Sequence, residues 1–231
     1  MKKGIDAPIV PILFIVFGIL GLILSYMSGD NFNYIFSISM FFWAGLYLNA
    51  SLRGKYRIIN QTVNSLAIAP NSKVLDIGTG HGAVLLEVAK HLKSPGKVTG
   101  IDIWQAADQS QNTQAATQQN IDLADVNAVT ALKTADMTKL PFPDASFDYV
   151  MASLSIHNVK PQAKRQQALA EAMRVLKNHG KLVIIDIEHV KEYRKYLEKC
   201  GYQNIQIKNT GINGLYGCLP TKVLICEKQP K

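Results

Sequence analysis

The stretch Val74-Leu75-Asp76-Ile77-Gly78-Thr79-Gly80-His81-Gly82 determines how the rest of the chain is organised. Residues 74–77 form a short apolar run with β-branched side chains, which predicts a buried strand. Three glycines follow at alternate positions, and residues 83–92 have the apolar spacing of an amphipathic helix. A strand, a glycine turn and a helix in this order open a nucleotide-binding βαβ unit, in which a ligand approaches the main chain closely.

The glycine spacing differs from the dinucleotide-binding fingerprint G-x-G-x-x-G, because the third glycine comes one residue early. The strand also ends in an acidic residue, Asp76. A carboxylate there would repel a pyrophosphate, whereas it suits a cationic or amine-bearing ligand. Both features count against an NAD-dependent oxidoreductase, and the chain has no evident tyrosine–lysine catalytic pair, but this class is kept as an alternative.

The run D-I-G-T-G-H-G at 76–82 resembles motif I of the class I S-adenosylmethionine-dependent methyltransferases. The resemblance continues through V-T-G-I-D at 98–102, T-A-D at 134–136 and L-P-F-P-D-A-S-F-D at 140–148, and it covers roughly residues 55 to 228. It implies an α/β fold with a seven-stranded, doubly wound, Rossmann-like sheet in the order 3-2-1-4-5-7-6. It also implies S-adenosylmethionine as cosubstrate and direct displacement of its methyl group by a nucleophile.

The same resemblance implies which residues bind the cosubstrate. Asp102 would accept hydrogen bonds from the ribose hydroxyls, as an acidic residue also does in NAD-binding folds. Asp136 would accept from the exocyclic amine of adenine while the Met137 main chain reads the ring edge. Trp104 either flanks the adenine or covers the loop. The full predicted set is Asp76, Gly78, Thr79, Gly80, Gly82, Asp102, Ile103, Asp136, Met137 and Ser153.

The reaction centre is expected at the carboxyl ends of strands 4 and 5, because ligands of open α/β sheets bind there. His157 follows strand 4 and is either a general base or a histidine that shapes the pocket. Asp186, Glu188 and His189 follow strand 5 and are the candidates for contact with the methyl acceptor.

Two uncharged segments, 8–27 and 34–50, precede the methyltransferase-like part. Twenty residues of helix are about 30 Å long, which is the hydrocarbon thickness of a bilayer. We predict a transmembrane hairpin in residues 1–52 and a catalytic domain in residues 53–231. A signal peptide is disfavoured because no small-x-small cleavage site follows, and a hydrophobic cap on a soluble dimer is the other alternative.

Basic residues flank the hairpin at Lys2, Lys3, Arg53, Lys55 and Arg57. The positive-inside rule therefore predicts a two-pass protein with both its N-terminus and its catalytic domain in the cytoplasm. The acceptor is expected to be a small molecule or a lipid near the membrane, such as a quinone precursor, an isoprenoid or a phospholipid headgroup. A catalytically silent membrane scaffold that retains the fold is a further alternative.

Composition limits the other partners. The net charge is +8, but no Lys/Arg run with interleaved aromatic residues is present, so we expect membrane attraction and not nucleic acid binding. The three cysteines, at 200, 218 and 226, include no C-x-x-C pair, which disfavours a disulfide framework or a metal site. They are expected to be reduced and partly buried. The oligomeric state is not predicted.

The remaining elements follow from periodicity and turn residues. We predict a linker helix over 53–68, a polar loop and surface helix over 107–125, and a flexible glycine-rich rim over 210–218. Asp148 is predicted to have a structural role. Further helices are predicted at 161–176 and 190–200, and further strands at 126–135, 147–153, 181–187, 204–209 and 219–228.

Overall fold

The computed structural model describes residues 4–29, 31–105 and 112–229. Asp108 and Ser110 of the predicted polar loop, and the charged Lys2, Lys3 and Asp30, lie outside this part. The α-helices are α1 Ile9–Ser28, α2 Asn31–Asn49, α3 Lys55–Ser65, α4 Ala83–Ala89, α5 Gln114–Ala124, α6 Gln162–Val175 and α7 Val190–Lys199. The strands are β1 Lys73–Ile77, β2 Lys97–Asp102, β3 Thr130–Thr134, β4 Phe147–Ser153, β5 Leu176–Asp186, β6 Gln206–Asn209, β7 Leu215–Tyr216, β8 Leu219–Pro220 and β9 Lys222–Glu227.

The main sheet has seven strands in the order β3-β2-β1-β4-β5-β9-β6. The first five are parallel, and β9 runs antiparallel to both β5 and β6. The two-residue strands β7 and β8 pair only with each other, so β9 is the seventh strand of the predicted order. This confirms the predicted fold class and strand order.

Each face of the sheet carries a hydrophobic core. Strand β1 is buried on both faces, with Val74, Leu75 and Ile77 fully enclosed, which explains its continuous apolar run. One cluster joins β1, β4 and β5 to α6 and α7, and the other joins the same strands to α3, α4 and α5. The carboxyl ends of the parallel strands are therefore held rigidly between two packed layers.

Strand β5 begins earlier than predicted, at Leu176 and not at Lys181, so it follows α6 directly. Leu176 pairs with Phe147, and the register between β4 and β5 is irregular just beyond that pair. Gly180 is packed so tightly that a Cβ atom there would lie 2.8 Å from the Asp148 carbonyl oxygen. Residues 178–180, Asn-His-Gly, therefore lie at an irregularity within a strand, although the predicted strand began only at residue 181.

Helices α1 and α2 form an antiparallel hairpin whose contact face consists of small residues. A Cβ atom on Gly21 would lie 2.4 Å from Ser37 Oγ, and one on Gly18 would meet the Phe41 ring. All but four of the exposed large apolar side chains in the described chain lie in these two helices. Small residues inside and large apolar residues outside are the arrangement of helices that pack within lipid. Both helical segments are long and apolar enough to cross a membrane.

The hairpin continues into the α/β domain without a break in helical structure. A short π-helical segment, Ala50–Gly54, connects α2 to α3. The predicted domain boundary at residues 52 and 53 therefore falls inside a continuous helical run. Helix α3 packs against α4 through Ile58, Ile59 and Val63, and the chain beyond it buries Leu66 and Ile68 while Ala67 is exposed.

Candidate active site

A cleft of about 510 Å³ opens at the carboxyl ends of the parallel strands. This volume lies within the range of about 300–1,000 Å³ that is typical of small-molecule sites. One side, which we call the acidic half, is lined by the glycine turn and by Asp76, Asp102 and Asp136. A second group of lining residues, which we call the basic half, consists of four residues that carry or can accept positive charge, three tyrosines and one carboxylate, namely Lys55, His157, Lys160, Lys164, Tyr47, Tyr56, Tyr216 and Asp6.

The glycine turn is held against the end of β2. The backbone N–H groups of Gly78 and Thr79 both donate to the Ile101 carbonyl, at 2.8 and 3.0 Å. Gly78 has a φ of +73°, and a Cβ atom there would lie 2.3 Å from the Ser155 Cβ. Any larger residue at position 78 would therefore be both strained and obstructed, so glycine is required where the turn approaches the segment after β4.

Helix α5 fixes the turn from the other side. The Thr117 hydroxyl donates to the Gly80 carbonyl at 2.5 Å, and the Asn120 amide donates to the His81 carbonyl at 3.0 Å. Both side chains are fully buried. The predicted polar surface helix therefore exists, but two of its polar residues are internal groups that clamp the glycine turn.

Asp76 is a buried carboxylate with incomplete hydrogen bonding. Its Oδ2 accepts from the Thr79 hydroxyl at 2.7 Å and from the Leu85 N–H at 3.2 Å, while Oδ1 is buried and has no partner among the described residues. Burial raises the Asp76 pKa to about 7, with a smaller contribution from the Asp102 charge. An unpaired buried oxygen of this kind fits a ligand that brings a cationic or N–H donor.

Asp102 is oriented by the backbone around it. Its Oδ1 accepts from the Trp104 N–H at 2.7 Å, and its Oδ2 accepts from the Gly80 N–H at 2.9 Å. The Trp104 indole donates to Thr134 Oγ at 2.8 Å, which places this ring over the end of β3 and favours the covering role among the two predicted alternatives. Asp136 caps its own turn by accepting from the Thr138 N–H at 2.7 Å.

The loop after Asp136 is held from below by Arg174. This guanidinium donates to the Leu140 and Phe142 carbonyls at 3.0 and 2.8 Å, and it pairs with Glu171 and Asp144 at 2.7 Å. The run L-P-F-P-D therefore has a structural role, because oxygens of Leu140, Phe142 and Asp144 accept hydrogen bonds from the Arg174 guanidinium. Asp148 is structural as predicted, since it accepts from the Lys73 N–H and pairs with Lys177, both at 2.7 Å.

His157 lines the basic half and is bonded to a carboxylate behind it. Its Nδ1 lies 2.5 Å from Oδ1 of Asp186, which is fully buried. Asp186 also accepts from the Ile187 N–H at 2.9 Å and the Tyr193 hydroxyl at 3.3 Å. Burial and the Asp186 charge raise the Tyr193 pKa, so its phenol stays a donor. An imidazole oriented by a buried carboxylate is the arrangement of a general base.

The segment that carries His157 is anchored by a second ion pair. Arg165 in α6 donates to the Val159 carbonyl at 3.1 Å and forms a forked pair with Glu192 of α7, at 3.1 and 2.8 Å. The pairing with Glu192 raises the Arg165 pKa. The turn after β4 is therefore anchored at both of its ends, at His157 by Asp186 and at Val159 by Arg165.

Most of the predicted site residues lie in this one cleft. Those that line it are Asp76, Gly78, Thr79, Gly80, Asp102, Ile103, Asp136, Met137, Ser153 and His157. Gly82, Asp186 and His189 do not line it. Gly82 begins α4 with a φ of +84°, Asp186 lies behind His157, and His189 pairs with Glu188 and Glu192 outside the cleft. These placements differ from the direct ligand contacts that we expected.

Sequence reasoning missed the contribution of the hairpin and of the C-terminal segment. Asp6, Tyr47 and Lys55 line the cleft beside Tyr216. The predicted flexible rim is instead packed against the helical run, because Gly54 lies so close to the Asn213 carbonyl that a Cβ atom would be 1.8 Å from its oxygen. Cys200 and Cys218 are exposed, contrary to expectation, while Cys226 is buried and its thiol pKa is raised to about 11.

Comparison with known proteins agrees with this geometry. Residues 75–184 match the family model described as a methyltransferase domain. A ubiquinone/menaquinone biosynthesis C-methyltransferase of Rickettsia bellii is 37% identical over 124 residues, which are 53% of this chain and 47% of the relative. The chain thus spans about half the length of the curated relatives it matches.

Two solved structures have the same fold. The YcgJ protein of Bacillus subtilis matches with a TM-score of 0.59 and 16% identity over 75% of this chain and 98% of its own. Phosphoethanolamine N-methyltransferase 2 of Haemonchus contortus, solved in complex with S-adenosylmethionine, matches with a TM-score of 0.59 and 15% identity over 74% of this chain and 52% of its own.

The strand order, the glycine turn and these matches together define a class of protein. Residues 75–184 match the methyltransferase-domain family, and the α/β part of the chain has the same fold as the S-adenosylmethionine-dependent methyltransferases. The oxidoreductase alternative is therefore not retained.

Proposed function

We propose that this protein transfers a methyl group from S-adenosylmethionine to a lipid-like aromatic acceptor at a membrane, with His157 as general base. The observation that carries the proposal is the His157–Asp186 hydrogen bond in the same cleft as the glycine turn. The acidic half would hold the methyl donor, and the basic half would hold the acceptor. His157 would then face the acceptor across the point where the two meet.

The acidic half suits the chemistry of the cosubstrate. The buried Oδ1 of Asp76 would accept from the cosubstrate's ammonium group, and the negative charges of this half would attract its sulfonium. Asp102, held rigid by two backbone N–H groups, retains lone pairs for ribose hydroxyls. Asp136 would accept from the adenine amine, with the Met137 main chain beside the ring.

The proposed step is a displacement with a balanced proton transfer. If Asp186 is ionised it can only accept, so Nδ1 of His157 would carry the proton and the lone pair of the neutral ring would lie on Nε2. A hydroxyl of the acceptor gives its proton to Nε2 while the nucleophilic atom forms a bond to the methyl carbon. The carbon–sulfur bond breaks, and the products are the methylated acceptor and S-adenosylhomocysteine. Alignment of the reactants within the cleft supplies much of the rate.

The relatives suggest an aromatic ring as acceptor. They are named as C-methyltransferases of ubiquinone and menaquinone biosynthesis, at 37% and 33% identity. In a quinol, loss of a phenolic proton makes the adjacent ring carbon nucleophilic. That carbon would take the methyl group, and its own hydrogen would then leave as a proton so that the ring regains aromaticity.

Membrane attachment is proposed from the hairpin. Its outer surface is apolar along two helices of 20 and 19 residues, which is long enough to span a bilayer. The basic flanks favour a cytoplasmic N-terminus and a cytoplasmic catalytic domain. The expected result is that detergent is needed to extract the full-length protein from membranes. Extraction by carbonate alone would contradict the two-pass arrangement.

Turnover tests the catalytic proposal. Purified protein in detergent is supplied with S-adenosylmethionine and a synthetic short-chain 2-prenyl-1,4-naphthoquinol, and S-adenosylhomocysteine is measured from pH 5.5 to 9. His157→Ala should lower turnover about 10²–10⁴-fold at saturating cosubstrate. His189→Ala is the matched control, because this histidine lies outside the cleft, and it should stay within a few fold of wild type.

Three results would contradict the proposal in different ways. Equal activity of wild type and His157→Ala at every pH would exclude a histidine base. Binding of S-adenosylmethionine without any methyl transfer to the quinol would reject this acceptor. Absence of S-adenosylmethionine binding in a folded protein would favour the silent scaffold.

A further inference from the structure

A buried polar cluster joins the base of the hairpin to the C-terminal part of the domain. The Asp6 carboxylate accepts from the Lys55 ammonium at 2.7 and 2.8 Å, from the Ser51 hydroxyl at 3.0 Å and from the Tyr216 hydroxyl at 2.8 Å. Tyr47 donates to the Asp6 carbonyl at 2.9 Å and meets the Tyr216 ring edge-on. Three segments that are distant in the sequence therefore converge on one carboxylate.

Stability alone does not explain this cluster. A buried ion pair loses much of its attraction to desolvation, and well-packed apolar residues are often equally stable in its place. The Lys55 side chain is only 6% exposed, yet it lines the cleft. An ammonium group has three N–H donors, and the two Asp6 oxygens account for two of them. Lys55 therefore retains donor capacity toward a ligand in the cleft.

The surroundings of Lys55 indicate what kind of ligand it would meet. Asp6 offsets the charge of Lys55, but Lys160 and Lys164 also line the cleft, so the basic half keeps a net positive charge that attracts anions. Tyr56 lies under the Lys55 ammonium, 5.4 Å from it to the ring centre, and Tyr47 and Tyr216 add two more rings. Burial and the Asp6 charge raise the Tyr216 pKa, so its hydroxyl stays protonated and keeps Asp6 in place. Flat rings beside a fixed cation suit an aromatic oxyanion.

We propose that Lys55, held by Asp6 and Tyr216 at the base of the hairpin, binds the phenolate oxygen of the methyl acceptor. The inference rests on the proposed function and specifies its acceptor: an aromatic ring that is anionic when it reacts, with an apolar tail directed along the hairpin. Asp6 and Tyr216 are positioning residues in this arrangement. The hairpin then has two roles, because it contacts lipid with its outer face and completes the acceptor site at its base.

The probe for this site is a pair of compounds that differ in one charge, 2-octyl-4-nitrophenol and its methyl ether. Their binding to full-length protein in detergent is measured by equilibrium dialysis at about pH 8.5, where the free phenol is ionised. We expect wild type to bind the phenolate at least about tenfold more tightly than the ether. The double variant Asp6→Asn/Lys55→Met removes the ion pair without leaving a buried charge, and it should lose this preference.

Two controls separate charge recognition from structural damage. Lys55→Arg keeps a cation and should keep most of the preference. Lys177→Met removes another lysine–aspartate pair, with Asp148, far from the cleft, and should behave as wild type. The absorbance of bound nitrophenol gives a measurement that needs no variant: in wild type its pKa should be lower when bound than when free, because an ammonium stabilises the phenolate.

The proposal is overturned if wild type shows no preference for the phenolate, if the folded double variant retains the preference, or if binding raises the pKa of the nitrophenol. Calorimetry with S-adenosylmethionine is run in parallel on every variant. If wild type does not bind S-adenosylmethionine, the proposed function is refuted. The preference for the phenolate would still test whether Lys55 binds the anionic oxygen. The two failures are therefore distinguishable.

Discussion

The two halves of the cleft are built in different ways. The acidic half comes from the ends of three neighbouring strands within residues 76–137, and its contacts join residues at most 39 positions apart, as when Thr79 bonds to Asp76 or Asn120 to the His81 carbonyl. The basic half is assembled from distant segments. The Asp6–Tyr216 hydrogen bond joins residues 210 positions apart.

This difference separates what is common to the fold from what is particular to this chain. Binding at strand ends beside a glycine turn is general for open α/β sheets, and in this chain the turn is fixed by β1, β2 and α5. The basic half depends on the hairpin, on the end of β5 and on the segment before β9. We therefore expect cosubstrate binding and acceptor recognition to respond to different substitutions.

The largest expected effect tests whether the basic half contains the catalytic base. Asp186→Asn should lower turnover about 10²–10⁴-fold with little change in S-adenosylmethionine affinity, because an amide no longer stabilises Nδ1–H of His157. The measurement is kcat with the naphthoquinol, together with calorimetry. Asp148→Asn, at the opposite end of β4, is the control. Equal losses in the two variants would point to general destabilisation.

The next effect concerns the acidic half alone. Asp102→Ala should weaken S-adenosylmethionine binding by roughly 1–3 kcal/mol, because charge-assisted bonds to the ribose are lost. Isothermal calorimetry measures this directly. Asp122→Ala, an exposed carboxylate on α5, should bind as wild type does. Unchanged affinity in Asp102→Ala would remove this residue from the cosubstrate site.

A third prediction uses the raised pKa of Asp76. Because this pKa is about 7 in the folded protein, a bound cation would favour release of the proton. S-Adenosylmethionine affinity should therefore rise severalfold as pH increases from about 6 to 8, and the rise should be absent in Asp76→Asn. Calorimetry across this range tests it. The same slope in the variant would assign the titration to another group.

The raised pKa of Asp76 also makes the stability of the folded protein depend on pH. The Asp76 pKa is raised from 3.8 to about 7 on folding, so the unfolded chain releases this proton more readily than the folded one between these values. Raising the pH through that window therefore destabilises the folded protein. Asp76→Asn should unfold several degrees above wild type at pH 8, and the difference should shrink at pH 4. Thermal unfolding monitored by circular dichroism checks the sign.

The smallest expected effect is the change in S-adenosylmethionine affinity when the hairpin is removed, which tests whether the acidic half is independent of it. A protein lacking residues 1–49 keeps α3 against α4 and both cores of the sheet, so S-adenosylmethionine affinity should stay within about threefold of full length. Binding of the octylnitrophenolate should be lost, because Asp6 and Tyr47 are gone. A folded truncated protein that does not bind S-adenosylmethionine would show that the acidic half also depends on the hairpin.

Sequence periodicity was sufficient for the α/β framework and failed at its irregular points. The apolar run at 74–77 and the glycine turn predict β1 and its ligand-facing end, because burial on both faces leaves a continuous pattern. The early start of β5 was missed because Asn178, His179 and Gly180 are ordinary turn residues. Their position within a strand follows from pairing with β4, which is a non-local contact.

The sequence by itself determined the elements whose signals are local: two apolar helices, the motif I turn, and acidic residues at the ends of β1, β2 and β3. Strand spacing and side-chain alternation are properties of consecutive residues, so they can be read without a structure. Only the tertiary structure decided that Asp186 lies behind His157. It also decided that Lys55 is buried against Asp6 at the cleft, whereas the sequence indicated only that this lysine is one of the basic residues flanking the hairpin. Those placements depend on which distant segments pack together, and packing is selected by the burial of whole surfaces, not by any short pattern.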